Sequence, residues 1–598
     1  MTQRRLWART ACIGAALTLA MPADGEDRTF DGSGNNVANP TWGATGTPLL
    51  RVGEAAYVDE ISVPAGPTRP PARSVSMICG AQSGNILSDV ALSNLHTVWG
   101  QFLDHDITLT PDGSGEAFPL EVPVDDPWFD PFGTGRVVIP LMRSSFDPAS
   151  GTGPRNPRQQ INAITAYIDA SMVYGSSPRV AELLRRLDGS GMLRTSPGDL
   201  LPYNDLGVPM ANPTGLPPES LFAAGDVRAN ENCQLTAMHT LFLREHNRLC
   251  VELALAHPDW TGEELYQRAR KLVGAYVQNI TAQEYMPLLV GAGVVPSYAG
   301  YDDTQNAGII NSFQTVAFRL GHSQVNEVMV RVDDTGAIDP AGNIATRQAF
   351  FAPDRFVEVS VGSWLGGAAL TVSQRIDLHL AGSLRNFLFG PPGSGGLDLF
   401  ALNCQRSRDH GITDYNQLRL DFGLTAMNGM DQITADPVAQ ARLELAYDGA
   451  MNDIDPWVGG LAEDHAPGAA VGELFATVLV EQFTRLRDGD RFWFEHDDAF
   501  TEADRAAIRT TTLADIVRRN TGSRSFPAEP FVRDAATGFV PLLADLTLDG
   551  VVNFEDLVAL LASWGPLGTP GQDPRADVDG DADVGFRDLL MLLAEWSG

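Results

Sequence analysis

The chain has 598 residues, of which 75 are Asp or Glu and 42 are Lys or Arg, a formal charge of −33. A balance of that sign repels nucleic acid and anionic membrane, and it suits solubility outside the cell or calcium binding. The length exceeds that at which one core keeps growing, so one large domain with an appendage is expected, and the 44% hydrophobic and 8% aromatic content can fill its core.

The N-terminus reads as a secretory signal over residues 1–23. Arg4, Arg5 and Arg9 form a positive start, Ala11 to Ala20 a short apolar run, and Ala20 and Ala23 offer cleavage points. No later apolar run has spanning length, so a secreted or extracytoplasmic protein (cell surface or periplasm) without a membrane span is expected. Cys79, Cys233, Cys250 and Cys404 then remain. One or two disulfides and four buried thiols are both compatible with that count.

Residues 24–75, rich in Gly, Pro, Asn and Thr, read as an extended arm that wraps a domain or leads into it. From Ser88 onward apolar residues recur at three- and four-residue steps, as in SDVALSNLHTVWGQFLDHD, ELYQRARKLVGAYVQNI and ELFATVLVEQFTRLRDGDRFW. That spacing predicts amphipathic helices, so the fold class is mainly α with few strands and long loops. The body is expected over 24–525 and a linker over 526–543. Residues 544–598 should form a small α module, in which two similar units hold the acidic residues.

Four stretches carry candidate chemistry. In Trp99-Gly-Gln-Phe-Leu-Asp-His-Asp106 a helix would set Gln101 and His105 on one face and send Asp104, His105 and Asp106 in three directions. In Thr165-Ala-Tyr-Ile-Asp-Ala-Ser171 oxygen-bearing side chains recur at Thr165, Tyr167, Asp169 and Ser171, a spacing that a loop could turn toward a hard cation such as calcium. Arg319-Leu-Gly-His322 offers a neutral imidazole on a helix as a metal ligand. The segment from Ala401 to Gly411 supplies Asn403 and Arg406 beside an apolar run.

Together these segments resemble the animal haem peroxidase (peroxidase–cyclooxygenase) superfamily, the group of myeloperoxidase, lactoperoxidase and peroxidasin. WGQFLDHD, TAYIDASMVYG, AGDVRANE, REHNRL, FRLGH, ALNCQRSRDHG and VEQFTRLRDGDRFW stand in the family's order. The resemblance implies the family's fold and a haem b whose proximal ligand is His322. Asn403 would accept from the other nitrogen of His322, and Arg319 and Arg406 would sit near the propionates or the proximal side. His105 would be the distal acid–base, Arg228 the distal cation, and Gln101 would orient water or a halide. Asp104 and Glu231 would form ester links to haem. Asn232 stands where myeloperoxidase has the methionine of a third link, so that link is expected to be missing, and the resemblance then implies iodide, bromide, thiocyanate or phenols as more plausible donors than chloride. Calcium would be held by Asp106, Thr165, the Tyr167 backbone, Asp169 and Ser171.

In the tail, Asp545, Thr547, Asp549, Asn553 and Asp556 occupy loop positions 1, 3, 5, 9 and 12, with Val551 at the backbone position 7 and Gly550 at the turn. Asp577, Asp579, Asp581, Asp583 and Asp588 repeat the pattern, although Ala582 takes the glycine position and Gly585 lacks an oxygen. A weaker second site is therefore expected. Each loop runs into an apolar helix, with Leu557, Leu560 and Leu561, and then Leu589, Leu590 and Leu593, as the expected buried faces. The pair resembles the dockerin-type calcium repeat, which implies a protein or cell-surface partner. The whole chain is expected to reduce hydrogen peroxide and oxidise a halide, thiocyanate or phenolic donor. A fatty-acid dioxygenase of the same fold, or an adhesion scaffold, are the alternatives.

Overall fold

The computed structural model describes residues 26–568 and 571–597. The proposed signal segment lies outside them. The body is built on the 24-residue helix Cys233–Ala256, most of whose side chains are buried. Helices Asn94–Ile107, Gly262–Ile280, Val361–Leu370 and Leu513–Thr521 pack directly against it. The mixture of Leu, Met, Phe and Ala on nearly every face explains why this helix is central rather than amphipathic. Asn232 caps it by accepting the Leu235 N–H. Trp99, fully buried, packs its ring against Phe102, Phe242 and Phe531 and so fixes helix Asn94–Ile107 to this core.

β-structure is confined, among the described residues, to two-stranded ribbons and isolated bridges. The arm does wrap the body. Thr47 and Pro48 pair antiparallel with Asn162 and Ile161, Leu50 bridges to Ile310, and Arg28 makes a two-pronged ion pair with Asp490. The four cysteines are buried free thiols, with burial pushing those of Cys79 and Cys250 up to about 12. No helix of the described residues is long and apolar enough to cross a membrane.

The segment expected to be a linker is bonded to the body. Phe531 is buried beside Trp99, His96 and Tyr285, Val532 bridges to Leu92, and Phe539 to Thr371. Helices Phe554–Ala562 and Phe586–Ala594 follow, with their own small core of Leu546, Val552, Leu560, Val578, Val584 and Leu592. The buried phase of both helices differs from expectation. Leu592 is fully buried and Leu589 partly, whereas Leu561, Leu590 and Leu593 are about half exposed. Val552 and Val584, from the two loops, belong to the same small core and share it with the inward residues of the helices.

The tail touches the body at a defined place. The Leu548 carbonyl accepts from the Asn343 N–H at 3.0 Å, its side chain packs on Val328 and Ala345, and Arg347 pairs with Asp573 at 2.8 Å. Val328 and Ala345 are paired residues of the ribbon Val328–Met329/Ile344–Ala345.

Candidate functional site

A cavity of about 360 Å³ lies between helix Asn94–Ile107 and the turn Ala317–His322. Gln101, Asp104, His105, Arg228 and Glu231 line one wall, and Arg319 and His322 another. The helical turn carrying His322 is a 3₁₀ helix. Its tighter winding follows a short helix, Asn311–Thr315, that ends at Val316.

Gln101 and His105 share one face of their helix, one turn apart. Glu231 Oε2 accepts from Gln101 Nε2 at 2.8 Å and lies 3.7 Å from His105 Nε2. Gln101 Oε1 in turn accepts from Asn232 Nδ2 at 2.9 Å, so the residue in the methionine position orients the glutamine. Arg228 donates from Nη1 to Asp104 at 3.1 Å, and from Nε and Nη2 to the two oxygens of Asp226 at 2.9 Å each. Burial, reinforced by the Arg228 charge, holds His105 well below the usual imidazole range, so it is neutral and able to take a proton. Burial pushes the Asp104 carboxyl up to about 6 and that of Glu231 up to about 7, with Arg228 opposing both.

Asp226 escaped the sequence reading. Its carboxylate is buried, grips Arg228, and lies 3.6 Å from the otherwise unpartnered Nδ1 of His105. The one local signal was an Asp two residues before Arg228, whose Oδ1 accepts the Arg228 backbone N–H at 2.8 Å in an Asx-type turn.

On the opposite wall, Asn403 Nδ2 lies 2.8 Å from His322 Nδ1, while Asn403 Oδ1 accepts from Arg319 Nη1 at 2.8 Å. The sense differs from expectation, since the amide donates to the imidazole because Arg319 claims its oxygen. With Nδ1 accepting from the amide, the ring proton sits on Nε2; Nε2 offers its lone pair to a metal only when the proton is on Nδ1 and the amide turns its oxygen toward it. Burial and the Arg319 charge lower His322 to about 3. Arg406 does not line the cavity. Its guanidinium is bound to Asp112, Ser144 and the Met142 carbonyl of the ribbon beside it, and to Asp409 on its own helix.

Behind His105, Asp106 turns away into a buried loop. Its Oδ2 accepts the N–H groups of Asp169 and Ala170 at 3.1 Å, and Ser171 Oγ donates to its carbonyl at 2.8 Å. Asp106 Oδ1, Thr165 Oγ1 and Asp169 Oδ2 are buried without a hydrogen-bond partner. Burial and mutual repulsion raise the Asp106 carboxyl well above its usual range. Such a set of orphan oxygens fits a hard cation. Tyr167 spends its hydroxyl on the Trp42 carbonyl, which leaves only its backbone for such an ion. Ala170 is held at φ +62° between two of these residues. The same loop reaches the backbone of Asp226, behind Arg228, because the Met172 carbonyl accepts the Asp226 N–H at 3.1 Å.

In the tail, the two loops have the same backbone form. Leu548 and Gly580 at position 4, and Gly550 and Ala582 at position 6, all have positive φ. Asp577, Asp579 and Asp581 bring one oxygen each within 4.8 Å of one another, while Thr547 Oγ1 donates to Asp545 at 3.3 Å. Asp556 and Asp588 close their loops by accepting backbone N–H groups of Thr547 and Asn553, and of Val578, Asp579 and Gly585. Val551 contributes backbone only, its N–H bonded to Asp549, and the Asp583 carboxylate is on the exposed side.

The family model "Animal haem peroxidase" matches residues 27–531. Peroxinectin A of Dictyostelium discoideum is 38% identical over 509 residues, which covers 83% of this chain and 94% of that protein. The solved structure of peroxidase A from Dictyostelium discoideum superposes with a TM-score of 0.80 at 36% identity, covering 86% of this chain and all of that one. Oryza sativa fatty acid alpha-dioxygenase has a TM-score of 0.71 at 20% identity over 85% of this chain and 87% of its own, a likeness of fold alone. The matched span contains both cavity walls and the loop behind them, and the chain belongs to the animal haem peroxidase family.

Proposed function

We propose that the protein is an exported haem peroxidase that reduces hydrogen peroxide and oxidises a small halide, thiocyanate or phenolic donor. One observation carries this reading: a neutral His105, a paired Arg228 and a Gln101 face the same cavity as His322, whose Nδ1 is already engaged. The donor set fits haem b, with His322 as axial ligand, Asp104 and Glu231 as ester partners, and Arg319 at the edge. Bound there, haem supplies the iron at which peroxide is reduced. His105 Nε2 takes the proton of the incoming peroxide and returns it to the departing oxygen. Arg228, held by Asp226, stabilises the negative charge that develops on that oxygen in a site shielded from water. Asn232 caps a helix and orients Gln101, so no third haem link forms, and iodide, bromide, thiocyanate or phenols are preferred to chloride.

Calcium at Asp106, Thr165, Tyr167, Asp169 and Ser171 fixes the backbone beside His105. The tail is a dockerin-like calcium module. Supporting a partner-binding role, its two helices expose matching apolar residues: Phe554 and Phe586, Val558 and Leu590, Leu561 and Leu593.

The dioxygenase reading needs a tyrosine in the cavity, and Tyr285 lines it, with its hydroxyl held where a Cβ on Gly100 would come within 2.7 Å. Oxidation of iodide or guaiacol by peroxide, lost in His105→Ala by about 10²–10⁴-fold, is the expected result. Oxygenation of linoleate without peroxide, with no peroxide-driven turnover, would replace the first reading by the second.

A further inference from the structure

We infer that Tyr203 is a second, surface oxidation site for phenols too large to enter the cavity. The inference rests on the peroxidase reading above.

Of the eleven tyrosines, Tyr203 is the most exposed, at 39%. An aromatic ring at the surface is unremarkable by itself. This one leads inward without a break. Its ring stacks on buried Phe222 with centroids 4.8 Å apart and planes 18° apart. Backbone bonds from Asn204 to Leu221 and from Ala223 to Pro202, each 2.8 Å, fix the two strands that carry the rings. The Phe222 N–H donates to Asn230 Oδ1 at 2.9 Å, and Asn230 Nδ2 donates back to the Phe222 carbonyl at 2.8 Å. Asn230 is joined by its peptide bond to Glu231, whose carboxylate lies in the cavity wall 3.7 Å from His105. No step between the surface phenol and the cavity is wider than a ring stack or a hydrogen bond.

The outer end of this chain opens on a groove of about 480 Å³, lined in part by Leu200, Tyr203, Arg244, Val357, Val359 and Val361. Apolar walls suit an aromatic ring. The three nitrogens of Arg244 donate to the carbonyls of Gly198, Asp199 and Asn520, which fixes the guanidinium in the groove wall.

The electrons balance in single steps. Reduction of one peroxide leaves the cavity centre short of two electrons. Tyr203 gives one electron inward and its phenolic proton to solvent, becoming a phenoxyl radical. A phenol in the groove then loses its O–H hydrogen to that radical, which restores the Tyr203 O–H and releases a donor phenoxyl. A second donor repeats the cycle, and two protons and two electrons complete the reduction of peroxide to water.

Tyr203→Phe keeps the stack and removes only the oxidisable O–H. Holoenzyme would be given peroxide without donor and frozen for electron paramagnetic resonance, with and without ring-deuterated tyrosine. It would then be assayed on iodide and on phenol-grafted dextran, a neutral polymer that cannot enter the cavity. The expected result is a tyrosyl signal narrowed by deuteration in the wild type and missing from the variant, with dextran-phenol oxidation lost and iodide oxidation kept. A variant that retains the radical and the polymer activity would overturn the inference, as would a wild type that oxidises iodide but not the polymer. A wild type that oxidises neither would instead remove the peroxidase reading on which the inference stands.

Discussion

Arg228 is a part-buried cation held between two carboxylates, and its position depends on the buried one that grips it twice. Asp226 engages Nε and Nη2 and leaves Nη1 for Asp104. The Arg228 charge and its hydrogen bonds hold Asp226 below the usual carboxylate range despite burial. Asp226→Asn keeps the volume and removes the charge, leaving Arg228 paired to Asp104 alone. Breaking a buried pair costs about 3–5 kcal/mol, so the variant should be less stable and react more slowly with peroxide. Stopped-flow spectra with peroxide, alongside thermal melts, read both, and unchanged rates would remove Asp226 from the account. Asp104 and Glu231 have a separate expectation. After peroxide turnover, acid–organic extraction should leave haem on the wild type and on Asp104→Asn, but release it from the Asp104→Asn, Glu231→Gln pair. Complete release of unmodified haem from the wild type would exclude the ester links.

Elements differ in how directly the sequence announces them. The helix around Gln101 and His105 was legible because three- and four-residue spacing of Leu95, Val98, Trp99 and Phe102 can be read locally. The arm was legible from its Gly and Pro content. The two-residue ribbons were not, since so short a pair shows no alternation, and neither was the destination of Arg406, which depends on a ribbon far away in sequence. The packing of residues 526–543 was also hidden. Its Pro and Gly content matches a free linker, and only its aromatic residues, with Phe526 and Phe531 buried and Phe539 bridged to Thr371, mark it as anchored. The loop behind His105 holds Asp106 and, through Met172, the backbone of Asp226. Asp106→Ala should therefore reduce peroxide reactivity, on the order of 10²-fold for a displacement near ~1 Å. Asp545→Ala with Asp577→Ala should unfold the tail and spare the peroxide step, because no tail residue lines the cavity. Its effect should be confined to donor affinity, since Leu548 packs on Val328, which lines the cavity. Equal loss of peroxide reactivity in both variants would contradict this division.

At the scale of the whole molecule, the body is a helical scaffold whose interior holds neutral histidines. His246, bonded to Tyr174 Oη at 2.9 Å and to the Gly191 carbonyl at 3.0 Å, is lowered by burial to about 4. A histidine whose folded value is depressed binds its proton more readily when unfolded. Its contribution is thus intact above about pH 6.5 and is lost as pH falls from there toward 4, at about 1.4 kcal/mol per pH unit. His246→Gln should be less stable at pH 7 and flatter in its dependence between pH 6.5 and 4. Parallel wild-type and variant melting curves across that range would refute the assignment.

The proposed role of His322 as iron ligand, in the cavity it shares with His105, is tested most directly by the optical spectrum of the haem-loaded protein. The wild type should show a histidine-ligated Soret band that shifts on addition of peroxide. In His322→Ala that signature should be absent, because Asn403 and Arg319 offer no second imidazole behind it. A variant that keeps the same five-coordinate histidine spectrum and the same peroxide shift would show that the iron is held elsewhere.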